Sequence, residues 1–185
     1  MRAERRKPTR HRDSGAVAVE AGMVSLLLVT LLFGIVDASF LFKDWLAVSA
    51  AGRAGARMGA SQPRVEAFAQ NSADQVTNAL IGLAPANIQQ VWVYKTTSAG
   101  ALPTTCDAAS KCVPFTWNGT KLTTLLKANW DSQLQNACEG DPLRDSLGVF
   151  VKYKHTSPMG FFFRNTTVSE STVMFLEPYI LTPCK

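Results

Sequence analysis

Apolar and polar positions change rhythm several times along this chain of 185 residues, and each change marks an element. Residues 16–42 read AVAVEAGMVSLLLVTLLFGIVDASFLF, apolar on every side of a helix, with Glu20 and Asp37 the only charges. A helix that is apolar all round is surrounded either by protein or by lipid. About 20 apolar residues are enough to cross a hydrocarbon layer of roughly 30 Å. A buried core helix is the first alternative, but the roughly 120 residues that follow position 60 hardly supply a domain able to enclose it. A cleaved secretory signal is the second. Its apolar region is shorter, about 7–15 residues, and Lys43 and Asp44 stand between this run and the small residues Val48, Ser49 and Ala50. The pattern therefore predicts a single membrane span.

Residues 45–60 (WLAVSAAGRAGARMGA) are rich in Ala, and no proline occurs until Pro63, so the helix is expected to continue outward to residue 60. Small residues recur every four positions at Ala51, Gly55 and Gly59 and again at Gly52, Ala56 and Ala60. Such a stripe lets another helix approach closely, either from this protein's own domain or from a neighbouring subunit. After Pro63, Val65, Phe68, Ala69, Val76 and Leu80 fit an amphipathic helix ending near Gly82. Alternation predicts strands over residues 88–97, 149–155 and 167–177, with Ser157, Pro158, Met159 and Gly160 marking the turn between the last two. Leu122, Leu125, Leu126, Trp130, Leu134 and Ala137 suggest a third helix after a cysteine-bearing loop. These elements define an α+β fold: a basic leader (1–15), a long N-terminal helix with the transmembrane segment (16–60), and a small exported domain with a short antiparallel sheet (61–185).

The net charge of +5 would suggest a nucleic-acid partner if it were spread over the folded part. It is not. Arg2, Arg5, Arg6, Lys7, Arg10 and Arg12 against Glu4 and Asp13 place four of the five net charges in the first 15 residues. A basic flank before an apolar run holds that flank in the cytoplasm, so the cluster is a topology signal and no nucleic-acid partner is expected. The four cysteines, Cys106, Cys112, Cys138 and Cys184, all follow the apolar run and so fall in an oxidising compartment. Four cysteines allow three connectivities. The pairing favoured is Cys106 with Cys112, closing a short loop, and Cys138 with Cys184, tying back the chain end. Zinc competes poorly, because there is no CxxC pair and the only histidines are His11 and His155.

Catalytic chemistry finds no footing: there is no G-x-S-x-G, P-loop or H-E-x-x-H pattern, and one exported histidine makes no triad. His155 shares a strand face with Val149 and Tyr153 and is expected to be a packed, hydrogen-bonded residue. Neither enzyme activity, a cofactor nor a metal is expected. Phe161, Phe162 and Phe163 lie beside the turn and are expected in the core, the alternative being exposure for a partner.

The junction Asp13, Ser14, Gly15, Ala16, Val17, Ala18, Val19, Glu20 resembles the processing site of type IV prepilins. In that family a membrane peptidase cuts after the glycine and leaves a mature chain whose fifth residue is glutamate; counted from Ala16, Glu20 is fifth. Within the superfamily the chain is most similar to the TadE and TadG-like pseudopilins, minor subunits of tight-adherence pili. Gly15, the stretch 16–20, the Leu-rich 26–32, Asp37, and Arg53, Ala54, Gly55, Ala56 and Arg57 carry that resemblance. It covers about the first 60 residues and departs at Ala21, where an aromatic often follows the glutamate. The resemblance implies processing between Gly15 and Ala16 by a prepilin peptidase. It also implies assembly contacts through Glu20 and Asp37, other pilin or pseudopilin subunits as partners, and a plasma-membrane precursor with a cytoplasmic N-terminus that enters a pilus. An unprocessed, membrane-anchored module binding an extracytoplasmic ligand is the rival reading.

Overall fold

A computed structural model describes residues 14–80, 82–96, 100–107, 109–124, 126 and 130–178. The fold is the expected α+β arrangement. One long helix, α1 (Ser14–Ala60), runs about 70 Å. Its first half stands free, and its second half is built into a head made of α2 (Phe68–Ala79) and a five-stranded antiparallel sheet. The strands are β1 (Ile88–Thr96), β2 (Cys112–Trp117), β3 (Leu122–Thr123), β4 (Ser146–Lys154) and β5 (Thr167–Phe175), in the order β3-β2-β1-β4-β5.

Alternation decides which face of the sheet is covered. Val91 lies between Phe115 and Val151, and Val93 between Val113 and Val149. These side chains form the inner face, buried under α1 and α2 together with Val48, Ala51, Phe68, Ala73 and Val76. The two helices approach closely because glycine lines the contact. A side chain at Gly55 would strike Val76 and the Ser72 carbonyl, and one at Gly59 would strike Leu147. The Ser72 hydroxyl donates to the Gly55 carbonyl at 2.8 Å inside this contact. The stripe of Ala51, Gly55 and Gly59 thus packs against the protein's own α2 and β4. At the far end of α1, the Glu177 N–H donates to the Ala60 carbonyl at 2.8 Å, so the chain leaving β5 satisfies a terminal helix carbonyl.

The outer face is partly covered by the segment after β1. Tyr94 pairs with Cys112 on one side and Gly148 on the other. A side chain built on Gly100 would begin 3.9 Å from Val173, and Tyr94 ends fully buried. Trp92 and Phe150 stay half-exposed on this face, with ring centroids 5.1 Å apart.

Two expectations are corrected. The third helix is replaced, among the described residues, by the two-residue strand β3 and a 3₁₀ turn at Ser132–Leu134. Asn118 and Gly119 turn the chain back so that Thr123 and Leu122 pair with Thr116 and Trp117, and Asp131 accepts the Gln133 N–H to start the turn. Leu134 is 78% exposed. The second correction concerns the three phenylalanines: Phe161 is 69% and Phe162 56% exposed, outside the core.

Candidate functional site

The free half of α1 carries the residues singled out at the N-terminal junction. Ser14 and Gly15 open the helix, and nothing lies within 4 Å of where a Gly15 side chain would stand. Ala16 and Glu20 are exposed, and Glu20 has no partner among the described residues. The helix is long and apolar enough to cross a membrane, and its most apolar stretch is only 6% buried, so the described residues do not enclose it. Residues 15–36 extend about 33 Å, matching the hydrocarbon thickness.

Asp37 lies where that stretch ends, and it is 0% exposed. One carboxylate oxygen accepts the Ser157 hydroxyl; the other accepts the Phe162 and Phe163 N–H groups, both at 3.0 Å. Ser157 is itself saturated, since its oxygen also accepts the N–H of Met159 at 3.2 Å and of Gly160 at 3.0 Å. A buried carboxylate is costly unless its oxygens find donors, and here the loop between β4 and β5 brings all three. Asp37, read from the resemblance as an assembly contact, holds three donors of its own chain.

Two turns further on, Asp44 repeats the arrangement. Its carboxylate meets His155 Nδ1 at 2.7 Å, and His155 is buried, as its strand position implied. The seven-residue spacing puts Asp37 and Asp44 on one side of α1 facing the same loop. Residues 155–163 are therefore clamped to the helix at its exit from the apolar run. Neither Asp44 nor Ser157 was singled out from sequence; the signal available was the helical spacing of the two acids and the serine opening a turn.

The cysteines staple the head away from this clamp. Cys106 is bonded to Cys112, with Cα atoms 5.2 Å apart. Inside that loop Asp107 accepts the N–H groups of Ser110 at 2.9 Å and Ala109 at 3.0 Å, which holds its carboxyl below the usual range. Cys138 is also disulfide-bonded. Cys184, its expected partner, lies outside the described residues, as do residues 1–13 of the basic leader. Asp141 is likewise held low, by the Asn136 side chain and the Leu143 N–H. No group of three or more His, Cys, Asp or Glu side chains able to hold a metal occurs among the described residues.

An apolar helix of membrane-crossing length bearing a small α+β head defines a class of candidate membrane-anchored protein. Within it, residues 15–57, all of them in α1, match the family model of TadE-like protein. No curated protein and no solved structure matches the chain.

Proposed function

We propose that this protein is a pseudopilin or minor pilin of a tight-adherence pilus or secretion system, working by subunit assembly rather than by catalysis. The observation that carries the reading is the TadE-like match over residues 15–57, which begins at the glycine of the junction and covers the whole free half of α1. On this reading the precursor sits in the plasma membrane with its leader in the cytoplasm and its head outside. A prepilin peptidase cuts between Gly15 and Ala16, and the mature α1 packs with other pilin or pseudopilin subunits. Glycine suits the cut, because its low helix propensity makes the first turn of α1 cheap to unwind, by about 1 kcal/mol relative to alanine.

The test is mass spectrometry of the N-terminus after co-expression with a cognate prepilin peptidase. A mature chain starting at Ala16 is expected, and Gly15→Leu should leave full-length precursor. Because no neighbour crowds Gly15, that variant leaves the head intact, and a processing defect would report on the peptidase alone. A retained leader on the unsubstituted chain would favour the unprocessed anchor that binds an extracytoplasmic ligand.

A further inference from the structure

The loop between β4 and β5 reaches beyond the clamp. Phe161 stacks on Phe33 with centroids 5.5 Å apart, and the Phe162 ring lies against Gly34, 3.6 Å from where a side chain would begin. Both contacts fall about one helical turn inside Asp37, on the apolar half of α1. The two rings nevertheless leave most of their surface uncovered. A soluble head gains nothing by holding two adjacent phenylalanines out of its core, because burying such side chains is what stabilises a fold in water.

We propose that Phe161 and Phe162 are buried in the acyl chains of the leaflet that faces the head, giving the head a second attachment to the membrane beside α1. The inference rests on reading α1 as a membrane span. Three observations point to lipid. The helix positions that the two rings touch, Phe33 and Gly34, are flanked in the chain by exposed Leu31, Leu32 and Ile35. Phe162 borders a shallow, open cleft of about 510 Å³ lined by Leu27, Thr30, Leu31, Gly34, Ile35 and Ala38, a largely apolar surface suited to an acyl chain. Polarity returns where a head-group layer would lie, with Arg164 and Lys43 exposed and Trp45 and Phe42 forming an aromatic belt on the helix. The Asp37 clamp makes the insertion possible, because it satisfies the backbone N–H groups of Phe162 and Phe163 that would otherwise enter a water-free layer unpaired.

Photo-crosslinking of the full chain in vesicles of phosphatidylethanolamine with phosphatidylglycerol tests this, with benzoylphenylalanine placed singly at positions 161, 162, 28 and 134. Leu28 is exposed in the middle of the apolar half and reports on the span itself. Leu134, exposed at the distal end of the head where the Gln133 side chain donates to the Arg64 carbonyl, is the aqueous control. Lipid adducts are expected at 161 and 162 in a yield comparable with that at 28, and none above background at 134. Adducts at 28 with none at 161 or 162 would overturn the insertion while leaving the span intact. Adducts between 161 or 162 and a second copy would overturn it in favour of a subunit contact. No lipid adduct at 28 would overturn the span, and the insertion with it.

Discussion

Tyr94 and Gly148 face each other across β1 and β4, and the tyrosine ring fills the space that any side chain at 148 would need. Gly148→Ala places a methyl group inside that ring's volume, and neither strand has room to retreat because both are paired on their other sides. Overpacking of this kind costs about 2 kcal/mol, so the urea midpoint of the detergent-solubilised chain should fall, with tryptophan emission as the readout. The tyrosine hydroxyl gives a second, separable prediction. It is buried with no well-formed hydrogen bond among the described residues, and that burial raises its pKa above the ordinary 10.0, with nearby Ser171 only partly offsetting the rise. A raised pKa in the folded state favours the neutral phenol. The head therefore keeps its full stability below pH 10 and loses part of it as pH climbs through the higher folded value. Tyr94→Phe removes the group that titrates and leaves no donor unpaired, so it should be neutral or slightly stabilising at pH 7 and should flatten the alkaline decline. A steeper decline in the variant than in wild type would contradict this account.

At the scale of elements, the head is fixed to α1 by glycine packing and by the two acid clamps. Asp37→Ala strips the acceptor from three donors, and each buried donor left unpaired costs about 1–3 kcal/mol. Loss is expected mainly in the loop, so amide exchange at Phe162 and Phe163 should accelerate while β1 and β4 amides keep their protection. Uniform acceleration through the sheet would mean that Asp37 supports the whole head instead. The Cys106–Cys112 bond closes only a short loop, with a sequence separation of 6, so replacing both cysteines by serine should cost about 2 kcal/mol. Denaturing the chain without reductant should expose no thiol. The elements with long, unbroken periodicity were legible from sequence: α1 to within two residues, α2, and β1, β4 and β5. β2 was not, since the stretch holding Cys106 and Cys112 reads only as a cysteine-bearing loop, and Pro114 breaks a strand pattern. Proline is tolerated here because β3 pairs only with Thr116 and Trp117, leaving β2 an edge at position 114. The false third helix arose because Leu122, Leu126 and Trp130 have helical spacing, yet Leu122 is drawn to the sheet and Trp130 edge-on to Phe68.

Across the whole molecule the two acids that bracket the apolar half of α1 have opposite fates, and that contrast sharpens what the junction motif meant. From sequence, Glu20 and Asp37 looked equivalent as charges at the two edges of a hydrocarbon layer; only the fold shows that a loop more than a hundred residues away closes over Asp37. Glu20 receives nothing comparable among the described residues. On the proposed function, cleavage after Gly15 creates an ammonium on Ala16, and a neighbouring subunit's Glu20 is a carboxylate still free to meet it. Cleavage and assembly then make separate demands. Glu20→Gln keeps the glycine and the leader, so it should be processed like wild type. It should assemble poorly, because an ammonium drawn into a low-dielectric contact without its counter-charge costs about 3–5 kcal/mol when fully desolvated, and less where water reaches it. Crosslinking between subunits in membranes, scored beside N-terminal processing on the same samples, separates the two steps. Asp37→Asn serves as the comparison, since its effect should fall on the loop of its own chain and leave crosslinking through the N-terminal half of α1 near the wild-type level. Unchanged crosslinking in Glu20→Gln would reduce Glu20 to an interfacial carboxylate and leave the assembly reading resting on the junction and the helix alone.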